Sequence, residues 1–307
     1  MTINTFSVDK WWTYQRERFP IFAHAPLIAA FSFSAVSYSF LLRGERGLPR
    51  AGAVIVAFVT SFLFFLQLRI ADEFKDFEED SRYRPYRPVP RGLVSLRELG
   101  VIGVAGAAIQ LALALRMAPG LIVVLLLTWT YLALMSCEFF AREWLKSRPV
   151  TYMWTHMLIM PLIDLYATAC DWLVAGAPRP RGVFWFLAVS FFNGMVVEIG
   201  RKLRAPEDEE AGVETYTVVW GRTRAVLAWL GVLSMTAICA ALAAREIDFV
   251  RPVAVLLLAL LTAATAISLR FLHRPVRARA KLFEMMAGVW TLLMYLSLGA
   301  IPVFVRN

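Results

Sequence analysis

AGAVIVAFVTSFLFFLQLRI, residues 51–70, runs directly into ADEFKDFEED, residues 71–80. The first stretch is twenty residues with a single charge, Arg69, close to its end. That is the length a helix needs to cross a hydrocarbon layer of ~30 Å. The second stretch places six acids in ten residues, at the point where such a helix would leave the membrane. Ionisable groups at membrane depth or its boundary are costly and mark functional sites. This junction therefore predicts a membrane span whose end carries chemistry.

The rest of the chain agrees. Of its 307 residues 59% are hydrophobic and only 18% charged, with a mean hydropathy of +0.60. A soluble domain carries roughly 25% charged and 45–50% apolar residues. These values exclude intrinsic disorder. Cys137, Cys170 and Cys239 all sit in apolar runs, which excludes a secreted disulfide scaffold. Nine apolar segments of about twenty residues are read: 20–42, 51–70, 96–116, 119–138, 151–170, 183–200, 225–244, 252–272 and 283–305. In lipid only helices and closed barrels satisfy the backbone, and barrel strands alternate in polarity, as these runs do not. The expected fold is an all-α membrane protein with nine transmembrane helices, forming a single domain over residues 1–307. No soluble domain, low-complexity segment or sequence repeat stands out. Trp11 and Trp12 upstream of the first run resemble an interfacial anchor rather than a signal peptide.

Lys and Arg set the expected orientation. The N-terminus and the flanks after the even-numbered spans hold 23 of the 32 basic residues. The positive-inside rule places them in the cytoplasm. The protein is expected to be multi-pass in a bacterial inner membrane, with a cytoplasmic N-terminus. The net charge of +9 then reflects topology and attraction for anionic lipid or substrate, and calls for no nucleic acid.

Acids contribute little to orientation, yet twelve of the 23 fall in two windows on that same side, residues 69–91 and 198–224. In the first, Asp72, Asp76 and Asp80 are spaced i, i+4, i+8, with Glu73 beside them. On a helix prolonging the second span they share one face. Carboxylates stacked in this way repel unless cations lie between them. Oxygen ligands of this kind suit Mg²⁺, usually held by one or two carboxylates plus substrate phosphates. Arg82, Arg84, Arg87 and Arg91 follow, among Pro85, Pro88 and Pro90, which prevent a helix. Arginine forks match phosphate oxygens. The bland alternative is a charge-balanced loop. In the second window Glu198 and Lys202 are i, i+4. They read either as a helical ion pair or as a metal ligand with a diphosphate-binding lysine, and spacing alone leaves both open.

Arg69-Ile-Ala-Asp72-Glu73-x-x-Asp76-x-x-x-Asp80, then Arg87-Pro88-x-x-Arg91-Gly92, resembles the first aspartate-rich motif of the UbiA superfamily of intramembrane prenyltransferases. The family pattern is Asn-Asp-x-x-Asp-x-x-x-Asp, so Asp72 stands for the Asn and Glu73 for the first Asp. The second window resembles the family's second motif in Gly212, Thr215 and Gly221, with Asp208 at its last Asp, Glu198 near its first and Lys202 near its second. Ala205-Pro206 resembles an insertion. Lys146 resembles a family lysine near the diphosphate, and Arg142 stands where many members carry Tyr. The resemblance implies helices around a central cavity beneath a cytoplasmic cap. It also implies Mg²⁺-dependent transfer of a prenyl group from a prenyl diphosphate to a small acceptor, expected to be aromatic, an alkyl transfer other than methyl. Asp72, Asp76, Lys146 and Lys202 are then the expected catalytic residues. Asp72, Glu73, Asp76, Asp80, Glu198 and Asp208 are the expected metal ligands. Arg69, Arg87, Arg91, Arg142, Arg204 and Asp164, the last an ionisable group inside the fifth span, are the expected substrate contacts.

The chemistry needs no nucleophilic side chain. Neutralised diphosphate is a good leaving group, and an allylic cation must be kept from water by apolar and aromatic walls. A UbiA-like terpene cyclase would share the metal site without an acceptor. A CDP-alcohol phosphotransferase would need an Asp-Gly-x-x-Ala-Arg run, which the chain does not contain. A transporter would favour charge at mid-membrane and broken helices. His24, His156 and His273 lack metal-ligand spacing. Glu138 and Glu143 read as interfacial partners of Arg142 and Lys146. Gly103 and Gly106 suggest close helix packing.

Overall fold

The computed structural model describes residues 8–210 and 215–306. Every regular element among them is a helix. A short N-terminal helix, α1 (Val8–Arg18), precedes α2 (Ile21–Leu42), α3 (Ala51–Lys75), α4 (Phe77–Tyr83), α5 (Leu96–Met117) and α6 (Gly120–Ser136). Then come α7 (Arg142–Lys146), α8 (Pro149–Met157), α9 (Ile159–Trp172), α10 (Val183–Arg201), α11 (Tyr216–Val219), α12 (Arg222–Glu246), α13 (Val250–His273), α14 (Arg277–Leu298) and α15 (Ala300–Val305).

Seven of these stretches are long and apolar enough to cross a membrane: α2, α3, α5, α10, α12, α13 and α14 continued by α15. The protein is a multi-pass integral membrane protein. The fourth apolar segment forms a shorter helix, α6, of 17 residues. The fifth is broken at Leu158 into α8 and α9. Pro161 gives the reason, since it has no N–H for the Met157 carbonyl and its ring crowds that group.

The helices pack in chain order, α2 on α3, α3 on α5, α5 on α6, α6 on α9, α9 on α10, α10 on α12, α12 on α13 and α13 on α14. The circuit closes where α14 returns to α2. The middle is packed at the level of Tyr295 of α14, whose ring lies 4.9 Å from Phe31 and 5.7 Å from Phe186. The closure needs Gly299. A Cβ there would come within 2.4 Å of the Ser34 Cα and closer still to its carbonyl oxygen.

Two local devices shape the end of the bundle that carries the acidic windows. Ser95 and Glu98 form a reciprocal capping box that starts α5. The proline-rich stretch before it is not helical and turns through Gly92 at φ 75°, a conformation glycine adopts at no steric cost.

Candidate active site at the ends of α3 and α10

The first window does extend the second span, as its spacing predicts, but α3 stops at Lys75 and α4 begins at Phe77. Asp76 is the break, at φ −97°, ψ 5°. Backbone bonds from Asp76 N to the Asp72 oxygen and from Asp80 N to the Asp76 oxygen bridge it at 2.9 and 2.8 Å. The side chains then part company. Asp72 is 40% exposed, with Arg69 at 3.5 Å and Lys75 at 3.9 Å. Asp76 is partly buried. Asp80 is 2% exposed and takes Arg84 at 3.0 Å and Arg87 at 2.5 Å on its two oxygens. Glu73 is buried against α1, in an ion pair with Arg18. Arg91 pairs with Glu17 of α1 at 3.1 Å and donates to the Tyr86 carbonyl at 2.9 Å. The expected carboxylate ladder thus divides. Asp72 has only the longer contacts to Arg69 and Lys75, while Glu73 and Asp80 are committed to arginines because α1 and the proline-rich turn fold onto them.

In the second window Glu198 accepts Lys202 at 2.7 Å and Arg201 at 2.6 Å. The Lys202 ammonium also lies over the Tyr216 ring, 5.5 Å from its centroid. Arg201 is close enough to Asp72 for the two charges to act on each other. The same holds for Tyr216 with Glu198, Arg201 and Tyr152. The charged ends of α3 and α10 therefore lie within electrostatic range of each other. Asp208 pairs instead with Arg277 at 2.5 Å, and Arg204 meets the Asp208 carbonyl at 3.2 Å and Glu210 at 3.5 Å. These residues, together with Arg201, line a cleft of ≈ 480 Å³ against the start of α14. Thr215 caps α11 and donates to Glu209 at 2.7 Å, and Gly221 opens α12 at φ 76°. Gly212 lies outside the described residues.

Arg142 and Lys146 are exposed on α7. Asp164 is fully buried mid-bundle, where it accepts from the Tyr295 hydroxyl at 2.9 Å. That hydroxyl also lies 3.1 Å from Ser190 Oγ.

Glu138 departs from its sequence reading. It does not pair with Arg142 or Lys146. Glu138, Phe139 and Phe140 form a left-handed turn at φ 51°, 51° and 57°, which costs non-glycine residues roughly 1–2 kcal/mol each. The turn aims the Glu138 carboxylate inward, and it is 4% exposed. Tyr152 Oη donates to it at 2.9 Å, His156 Nε2 lies 3.2 Å away and Lys75 Nζ 3.5 Å away. His156 Nδ1 faces the Tyr152 carbonyl at 2.8 Å. Lys75 donates to Tyr152 Oη at 3.0 Å. This cluster escaped the sequence reading because its members come from α3, the turn after α6 and α8. The one signal was Lys75, a lone cation among six acids.

Burial first, and then the charges of Asp72, Asp80 and Glu79, raise the Asp76 carboxyl above the ordinary carboxylate range, with Lys75 partly opposing them. A cation at Asp72 and Asp76 would relieve that crowding. Among the described residues no group of three or more His, Cys, Asp or Glu side chains is poised for a metal. Two carboxylates completed by substrate phosphates match the usual needs of Mg²⁺, so the donor set fits that ion with a diphosphate ligand.

Comparison with known proteins gives one consistent result. A model of the UbiA prenyltransferase family matches residues 30–298. The fold is similar to the apo structure of a UbiA homolog from Aeropyrum pernix K1, at 14% identity and TM-score 0.66, over 91% of this chain and 97% of that one. It is similar to a digeranylgeranylglyceryl phosphate synthase at 13% identity and TM-score 0.64, over 97% and 100%. It is also similar to a UbiA homolog from Archaeoglobus fulgidus bound to DMAPP and Mg²⁺, at 15% identity and TM-score 0.56, over 95% and 99%. A comparison of the sequence with curated proteins found no match.

Proposed function

Because this chain belongs to the UbiA prenyltransferase family, we propose that it transfers a prenyl group from a prenyl diphosphate to a small aromatic acceptor within a bacterial inner membrane, using Mg²⁺ and with its N-terminus in the cytoplasm. The observation that supports this reading is the approach of two windows 125–130 residues apart in sequence. Asp72 and Asp76 lie at the end of α3, and Arg201, beside Lys202 at the end of α10, is within electrostatic range of Asp72; the space between them is read as the mouth of the substrate site. A structure of a similar protein holds DMAPP and Mg²⁺, and another holds GPP and Mg²⁺.

In this reading Asp72 and Asp76 hold the metal. Bound there, Mg²⁺ supplies charge neutralisation to the diphosphate oxygens. Arg69, Arg201 and Lys202 place further positive charge where negative charge grows as the allylic C–O bond breaks, which favours the transition state over the ground state. Glu198 fixes Arg201 and Lys202, since it bonds both. The apolar helices exclude water from the prenyl cation, and the Tyr216 and Tyr152 rings at the mouth offer faces that stabilise positive charge. The acceptor then forms the new bond to the prenyl carbon and releases one proton.

The experiment is incubation with a prenyl diphosphate and Mg²⁺, with and without a panel of aromatic acceptors, followed by mass spectrometry. The expected result is a prenylated product that requires an acceptor. A hydrocarbon formed equally without acceptor would assign the protein to the cyclases and overturn the transferase reading.

A further inference from the structure

The left-handed turn after α6 has no part in the reaction as described, yet its Glu138 faces Lys75, the residue next to Asp76, at 3.5 Å. We propose that Lys75 is a diphosphate-binding residue, held ready by Glu138 and Tyr152; this rests on the reading of the mouth as a prenyl diphosphate site.

Three observations converge on Lys75. The first is its set of partners. An ammonium has three N–H donors. Tyr152 Oη takes one at 3.0 Å, and Glu138 Oε1 at 3.5 Å faces a second. Asp72 at 3.9 Å is beyond hydrogen-bond reach. One donor is therefore left beside Asp72 and Asp76 for a ligand oxygen, on a side chain only 16% exposed.

The second is the backbone. Three consecutive non-glycine residues stand in the left-handed region. A helix end with no other duty closes with Gly or Asn there. Such conformations persist where the surroundings fix them, and they gather at functional sites. Here the surroundings are the contacts of Glu138 with Tyr152, His156 and Lys75.

The third is charge. A divalent cation held by Asp72 and Asp76 would add a second positive charge beside the Lys75 ammonium, which lies 3.9 Å from Asp72. The two repel unless an anion lies between them. A diphosphate bridging both removes the conflict. Lys146, to which the family resemblance gives the diphosphate, is exposed on α7 and has no such company.

Isothermal titration of the full-length protein in nanodiscs with inorganic diphosphate, with and without Mg²⁺, tests this, alongside a melting curve for each variant. Wild type is expected to bind diphosphate in the presence of Mg²⁺. Lys75→Met should weaken that affinity about tenfold to a hundredfold, the range for losing a charged hydrogen bond. Tyr152→Phe keeps every charge and should weaken it by about threefold. Lys75→Met leaves Glu138 buried without its cation and so threatens the fold. The double variant Lys75→Met with Glu138→Gln removes both charges, and it should melt close to wild type while binding diphosphate as poorly as Lys75→Met. Wild-type affinity in the double variant would reduce Lys75 to a counter-charge for Glu138 and overturn the proposal. A wild-type protein that binds no Mg²⁺-diphosphate would overturn the reading of the mouth itself.

Discussion

Replacing Asp76 by asparagine is expected to leave the metal-free protein more heat-stable and at the same time without Mg²⁺-dependent turnover. The two effects have one cause. Burial and the neighbouring carboxylates raise the Asp76 carboxyl above its ordinary value. A carboxyl raised in this way costs stability above its unfolded pKa, and the cost grows as pH rises through the folded value. An amide of the same shape carries no such cost. At pH 7 to 8 the metal-free Asp76→Asn protein should therefore melt above wild type, and the gap should narrow as pH falls toward the ordinary carboxylate range. Added Mg²⁺ with diphosphate should raise the wild-type melting temperature by mass action and leave the variant unmoved. Turnover should fall by at least about a hundredfold, the scale of losing one charge-stabilising group at a reacting centre. Melting curves with and without the metal, and an assay of diphosphate release, read all three. A variant less stable than wild type, but still responsive to Mg²⁺, would make Asp76 a structural residue.

Asp80 should behave in the opposite way. It shares the periodicity of Asp72 and Asp76, yet it is 2% exposed and bonded by both Arg84 and Arg87. Removing its charge strips two charge-assisted bonds from a buried group. Both arginines keep access to solvent, which softens the loss. Asp80→Asn is expected to cost about 2–3 kcal/mol of stability. Its affinity for Mg²⁺-diphosphate should stay within about threefold of wild type, a difference of roughly 0.65 kcal/mol, measured at a temperature where the variant is folded. Denaturation and titration together separate the roles. A variant of unchanged stability that no longer binds Mg²⁺-diphosphate would return Asp80 to the metal.

The contrast between these residues shows where the sequence was legible. Membrane spans declare themselves by length and the rarity of charge, so the apolar runs all coincide with helices. The break between α8 and α9 was not legible, since 151–170 reads as one span, although Pro161 carries its cause: its missing N–H and its ring act on Met157, four residues back. The two acidic windows were legible because charge at a span end is conspicuous. What spacing left open was the partner of each acid. Glu73, Asp76 and Asp80 differ little in local sequence. Arg18 of α1 and the proline-rich turn decide which of them pair with arginine, and those contacts bridge 55 residues for Glu73 and 7 for Asp80. Periodicity describes one helix and is silent about what folds over its end. The Lys75–Glu138–Tyr152–His156 cluster was less legible still. It depends on a left-handed turn in a Cys-Glu-Phe-Phe stretch with no glycine to announce it.

Joint action of the α3 end and the α10 end on one diphosphate ester is the proposal to be tested. Its most direct measurement is release of inorganic diphosphate by the purified protein from a panel of prenyl diphosphates of increasing length, with an aromatic acceptor panel present. Wild type, Asp72→Asn and Lys202→Ala would be assayed with Mg²⁺ and with chelator. Release is expected from at least one member of the panel, and it should stop with chelator. A lower rate is expected in both variants, with Lys202→Ala falling in kcat/KM by more than about twofold, a difference of ~0.4 kcal/mol. Absence of Mg²⁺-dependent release from every member, or release that neither variant alters, would contradict the proposal.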